Sequence, residues 1–153
     1  MVNTYTQLNI HAVFSVKGRE NLLSEIVRNE LFPYLSGIIK SLNNYPLAIN
    51  GYKDHVHIFF ELDPTLSISN VMNKLKSNSS KWINEKKFMP RKFNWQAGFA
   101  AFSYLKSQRD DVIQYIINQE QHYRKASFRE EYLKLLEKFE IDYYMRYLFE
   151  FYY

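Results

Sequence analysis

His55 and His57 flank Val56 in the stretch DHVHIFFE, residues 54–61. Apolar and aromatic residues follow, so the stretch reads as a strand. Side chains on a strand alternate faces with period 2. Both imidazoles therefore project from one face, and Val56 points to the other, toward a core. Two imidazoles side by side on a rigid strand make half of a metal site, and a third ligand must come from elsewhere. The helical pattern VIQYIINQEQHY, residues 112–123, offers one. Tyr115 and Gln119 are four apart there, which on a helix places them on one face, one turn apart. Gln119 has an amide oxygen suited to a hard divalent cation, and Tyr115 has a phenol that can act as a nucleophile.

That set selects a chemistry. Two imidazoles and one amide oxygen suit Mg²⁺ or Mn²⁺ and leave positions open for substrate oxygens. All three are neutral, so the ion would keep its full charge for an anionic substrate, with a phosphate as the leading candidate. A phenol attacking phosphorus would store the bond as a phosphotyrosine ester, and a free hydroxyl could reverse the step. The ordinary pKa of a phenol is about 10. Either the metal or a neighbouring base must therefore help to ionise it, and the sequence leaves both open.

Composition sets the frame for this site. The chain has 153 residues, which suggests one domain, and it is 46% hydrophobic and 18% aromatic, too apolar for a disordered chain. It has no cysteine, which excludes disulfides and thiolate metal sites. Net charge is +4, a mild basic bias compatible with nucleic acid. No N-terminal signal pattern stands out, and no apolar run approaches the roughly 18 residues of a membrane span. The expectation is a cytoplasmic protein with no membrane partner.

The elements that must position the site follow in order. Residues 4–16 read as a strand, with Leu8, Ile10, Ala12 and Phe14 alternating with Gln7, Asn9, His11 and Val13. A helix is expected over 22–42, with Ile26, Leu31, Leu35 and Ile39 among its apolar stripe and Pro33 as a kink or boundary. Strands are expected over 45–52 and 55–62, joined as a hairpin in which Asp54 turns the chain by bonding its own backbone. Ser67 is a plausible N-cap for a basic helix running to about Glu85. An irregular basic segment over 86–98 leads to a fourth strand over 99–105. Ser107 is expected to cap a helix over 109–123, and Ser127 another over 128–138 with Glu130 placed for a capping box.

Strand, helix, strand, strand, helix, strand is the ferredoxin-like, RNA-recognition-like βαββαβ order. The expected class is α+β: an antiparallel sheet with helices on one face, plus C-terminal helices carrying Tyr115. One domain is expected over 1–153, with a core to about 106 and an extension over 107–153. The fold hosts many functions and decides none.

At these residues the chain resembles the single-tyrosine HUH transposases of small bacterial insertion sequences, including relatives associated with repetitive extragenic palindromes. The resemblance covers nearly the whole chain. HAVFSVKGRENLL resembles the family's first strand and turn, GYKDHVHIFFEL carries the HUH motif as His55–Val56–His57, and KLKSNSSKWINE resembles the helix after it. FNWQAGFAAFS resembles the lead into the last strand, and VIQYIINQEQH the helix of the nucleophile and third ligand. The resemblance implies a bacterial enzyme with Tyr115 as nucleophile and His55, His57 and Gln119 as metal ligands. It implies cleavage of single-stranded DNA with hairpin ends, through a 5′-phosphotyrosine and a free 3′-hydroxyl, by a homodimer. Glu120 and Gln121 beside Gln119 could shift which side chain meets the metal.

Lys17, Arg19, Lys53, Lys76, Lys81 and Arg91 are the candidate DNA contacts, since cations near such a site neutralise phosphates. Phe93 and Trp95 could stack on unpaired bases, though Trp95 reads better as core. His11 and His122 read as structural or solvent-facing, Tyr123 as a packing residue, and the aromatic tail after Asp142 has no assigned role. Two rivals remain. A non-catalytic hairpin-DNA or RNA-binding module of the same fold would read bases with aromatics on central strands, where this chain has histidines. A metal-free phosphoesterase would need a second histidine motif, which the chain lacks.

Overall fold

The computed structural model describes residues 3–123 and 127–143; the side chains of His122, expected to be structural or solvent-facing, and of Tyr123, expected to pack, and the tail over 144–153 lie outside the described residues. Four strands form one sheet: β1 Asn9–Ser15, β2 Tyr45–Gly51, β3 His55–Glu61 and β4 Ala100–Tyr104. Their order is β2-β3-β1-β4 and every neighbouring pair is antiparallel. Helix α1 spans Glu25–Ser41 and α2 spans Ile68–Lys86. This is the expected α+β, ferredoxin-like arrangement. Three C-terminal helices follow: α3 Arg109–Ile117, α4 Gln119–Tyr123 and α5 Phe128–Lys138.

Strand alternation divides the sheet between two tasks. Ile10, Ala12 and Phe14 of β1 join Val56, Ile58 and Phe60 of β3 in the main core, against Leu31, Leu35, Ile39, Val71, Met72 and Leu75 of α1 and α2. The opposite face carries His11 and Val13 of β1 and His55, His57 and Phe59 of β3. There Val13, Ala100 and Phe102 pack under Phe128, Tyr132, Leu135 and Leu136 of α5. Phe59 packs under Val112 and Ile116 of α3. Both faces are thus covered, and the histidines lie between the sheet and the C-terminal helices.

Several boundaries move for physical reasons. β1 begins at Asn9 because its partners end at Glu61 and Tyr104, and residues 4–8 are exposed. Helix α1 starts after Ser24, whose hydroxyl accepts the Val27 N–H, while Leu22 and Leu23 pack before the cap. Pro33 lies within a continuous α1 and ends nothing, and Ile26 is 72% exposed, off the stripe. Ser67 and Ser127 cap α2 and α5 as expected, accepting the N–H of Asn70 and Glu130. Ser107 caps nothing. Residues 106–108 form a 3₁₀ turn closed by the Gln108 side chain on the Leu105 N–H, and α3 starts at Arg109. The single helix expected over 109–123 breaks at Asn118, where ψ is 20°.

Candidate metal centre and tyrosine site

The site is assembled from β1, β3, the α3–α4 junction and α5. His55 and His57 are fully buried and Val56 fills the core behind them, as alternation requires. The antiparallel register puts His57 opposite Val13 on β1, so His11 is its diagonal neighbour on the same face. Asp54 precedes β3 by one residue, and its carboxylate does not turn its own backbone. Its Oδ1 lies 2.7 Å from Nδ1 of His55, and its Oδ2 lies 3.6 Å from Nε of Arg19.

The two histidines are held alike. Nδ1 of His55 is engaged by Asp54, and Nδ1 of His57 lies 2.8 Å from Nε2 of His11. Their Nε2 atoms face the same hollow. There Nε2 of His55 is 3.4 Å from the Gln119 amide oxygen, and Nε2 of His57 is 2.9 Å from Oε1 of Glu131. The other oxygen of Glu131 accepts the Tyr115 hydroxyl, at short range, and the Gln119 amide N–H at 3.3 Å. Tyr115 and Gln119 stay together across the break at Asn118, with the Gln119 amide donating to the Tyr115 carbonyl at 3.3 Å.

Burial sets the charge states. Desolvation, with His57 next in size, holds His11 well below the ordinary histidine value, so this ring is neutral. Burial, then the charge of Glu131 beside it, pushes the Tyr115 phenol far above its usual range. Phe128 stacks on His55 with centroids 4.1 Å apart, and the Arg19 guanidinium lies 5.9 Å from the centre of the Phe128 ring. Beside Tyr115 a hollow of about 210 Å³ opens, lined by Tyr104, Gln108, Asp111, Val112, Leu135 and Lys138.

These donors fit a divalent ion. One ligand atom from each of His55, His57 and Glu131 lies within 4.8 Å of the others, and the Gln119 amide oxygen adjoins them. Two imidazole nitrogens with carboxylate and amide oxygens suit Mn²⁺ or Mg²⁺. Beside the neutral set that the sequence suggests, the fold also brings the carboxylate of Glu131. His11 is also no solvent-facing group: it is completely buried against a candidate ligand. The sequence signal for Glu131 was available. Phe128, Glu131, Tyr132, Leu135 and Leu136 share the buried stripe of α5, and a carboxylate on an apolar stripe needs a partner.

The basic candidates separate. Lys76 is half-buried and donates to the Gln96 and Gly98 carbonyls, both at 2.7 Å, so its charge pins the segment leading to β4. Lys81 is exposed, 4.0 Å from Glu85. Lys17 and Lys53 are exposed, Lys53 lying 5.4 Å from the Tyr52 ring centre. Arg91 pairs with Glu20, and Arg19, Glu20 and Arg91 line one hollow of about 470 Å³. Phe93 is fully buried, and Trp95 is core, with its indole N–H on the Ser79 hydroxyl at 2.9 Å.

Residues 4–119 match the family described as "Transposase IS200 like", and the chain belongs to that family. Among solved structures it is similar to a candidate transposase from Deinococcus radiodurans R1, at 22% identity and a TM-score of 0.63, over 78% of this chain and 95% of that one. It is also similar to the REP-associated tyrosine transposase bound to a REP hairpin, at 14% identity and a TM-score of 0.59, over 80% of this chain and 73% of that one. At these identities the likeness is one of fold. No curated protein matches the chain closely enough to add to this. No helix among the described residues is long and apolar enough to cross a membrane.

Proposed function

We propose that this chain cleaves and rejoins single-stranded DNA near hairpin ends through a covalent tyrosine intermediate, as a single domain working in a cytoplasmic homodimer. The observation that carries this is the meeting of Gln119 and Glu131 with the Nε2 atoms of His55 and His57, and of the Tyr115 hydroxyl with Glu131. Membership of the IS200-like family and the fold shared with a hairpin-bound transposase support it.

Tyr115 is the nucleophile. Its hydroxyl attacks the scissile phosphorus, the bond from phosphorus to the 3′-oxygen breaks, and that oxygen leaves with a proton as a 3′-hydroxyl. The 5′-phosphate stays on the tyrosine. The Glu131 carboxylate sits where the phenolic proton departs, since it already accepts that O–H. His55, His57 and Glu131, with Gln119, would hold Mg²⁺ or Mn²⁺, and such an ion when bound draws charge from the scissile phosphate. A second 3′-hydroxyl reverses the step and joins new ends. The exposed Lys17 and Lys53 are available for phosphate contacts, and Lys81, Arg91 and Arg19 to a lesser degree because they pair with Glu85, Glu20 and Asp54.

Covalent trapping tests this reading. The protein is mixed with labelled single-stranded hairpin DNA and Mn²⁺ and run on a denaturing gel. An adduct that disappears with Tyr115→Phe and with chelator is the expected result. Tight hairpin binding without an adduct would favour a non-catalytic hairpin-binding module instead.

A further inference from the structure

We infer that His11 is a positioning residue for the metal centre: its Nε2 accepts the Nδ1–H of His57 and so fixes Nε2 of His57 as the nitrogen offered to the ion. This rests on the metal reading above and adds a residue to it. The choice of tautomer follows from which nitrogen ligates. A neutral imidazole has one N–H and one lone pair, and a ligating nitrogen must give up its proton. For His57 to ligate through Nε2, its Nδ1 must carry the hydrogen. The atom 2.8 Å from that Nδ1 is Nε2 of His11, which must then be the acceptor.

The same logic places the His11 hydrogen on its Nδ1, an atom that is buried with no hydrogen-bond partner among the described residues. An orphaned buried donor carries the desolvation cost of its group. A pure packing residue would not retain that cost, since leucine would fill much of the same space without it. His55 shows the parallel arrangement, with the Asp54 carboxylate on its Nδ1 and Nε2 turned to the hollow. Groups in this outer position orient ligating histidines and typically change metal affinity 10–100-fold when removed. The two histidines differ in what orients them. An anionic carboxylate serves His55, and a neutral ring serves His57.

The test uses the full-length chain and Mn²⁺ binding by calorimetry, with no DNA. His11→Leu is expected to fold with an unchanged or higher Tm and to bind Mn²⁺ about tenfold or more weakly. His11→Gln, whose amide oxygen can replace the lost acceptor, is expected to restore most of that loss. Equal Mn²⁺ affinity in wild type and His11→Leu would overturn the inference while leaving the metal centre standing. A wild type that binds no Mn²⁺ would overturn the metal reading and the inference with it. Nitrogen-15 spectra of the wild-type imidazoles with Mg²⁺ decide the matter even if both variants fail to fold. Hydrogen on Nδ1 of both His57 and His11 is expected, and hydrogen on Nε2 of His11 would overturn it.

Discussion

Oε1 of Glu131 lies 2.9 Å from Nε2 of His57, a residue 74 positions earlier in the chain. The contact joins α5 to the central strand β3 at the point where a metal ion would be held. Both side chains are buried, so the pair meets away from bulk water. A carboxylate in that position has to be matched by an imidazolium or by a cation.

Replacing that carboxylate should therefore weaken the cation site. Glu131→Gln is close to isosteric and keeps an oxygen, but it removes the charge. Mn²⁺ affinity should fall by about 10–100-fold, in line with the loss of a direct ligand or its partner. The Tyr115 phenol should titrate at lower pH, because Glu131 is one of the groups that raise it. Calorimetry and ultraviolet titration of the phenolate check the two parts, and unchanged Mn²⁺ affinity would remove Glu131 from the ligand set.

Tyr115→Phe separates chemistry from binding. The hydroxyl contacts Glu131, whereas the ring packs beside Phe59 and Ile116. Adduct formation should vanish, with Mn²⁺ affinity within about threefold of wild type because the oxygen is not a ligand in this reading. A surviving adduct would move the nucleophile to another tyrosine.

Lys76 should matter for folding more than for DNA. Lys76→Met breaks two charge-assisted bonds to the Gln96 and Gly98 carbonyls. The expected cost is about 2 kcal/mol, tempered by the half-exposed position of the side chain. The slope of log affinity against log salt should stay unchanged, whereas loss of one phosphate contact would lower it by about 0.7 on single-stranded DNA. Denaturant melts and salt titrations distinguish the two outcomes.

Stability should plateau between about pH 7 and 10. Burial raises Tyr104 and Tyr132 to about 12. For an acid raised on folding, the unfolded chain ionises first. Stability is therefore complete below about pH 10 and drains away as pH climbs from there toward 12. His11 acts at the other end. Its folded value is depressed by burial and by His57 and Lys138, with Glu131 opposing. Its contribution is complete above the ordinary 6.5 and is lost as pH falls below it. Tm scans of wild type and His11→Leu should diverge only on the acid side, and parallel curves there would contradict this assignment.

Much of this arrangement was legible in the residues themselves. Period-2 alternation placed His55 and His57 on one face and Val56 in the core, and i,i+4 spacing kept Tyr115 beside Gln119 even though the helix breaks at Asn118. The sheet order followed from the sequence of elements. What escaped were groups whose roles come from tertiary contact. His11 reads as one polar residue among four on its strand face, and only the pairing of β1 with β3 sets it against His57. Glu131 carried a local signal, a carboxylate on an apolar stripe, but its partner lies on another element. Lys76 resembled its exposed neighbours until the segment it pins was in place.

Helices α3 and α5 have one further consequence. They roof the sheet face that carries the histidines, with Phe128 lying flat on His55 and Phe139 flat on Phe102. Modules of this fold that read RNA lay bases on the open sheet. Here that floor is already tiled, so an incoming strand must enter by a side door. Tyr115 itself lines a hollow at the rim of that roof with Tyr104, Asp111 and Lys138, so on the proposed reading the rim, rather than the sheet, is where a strand would meet the phenol.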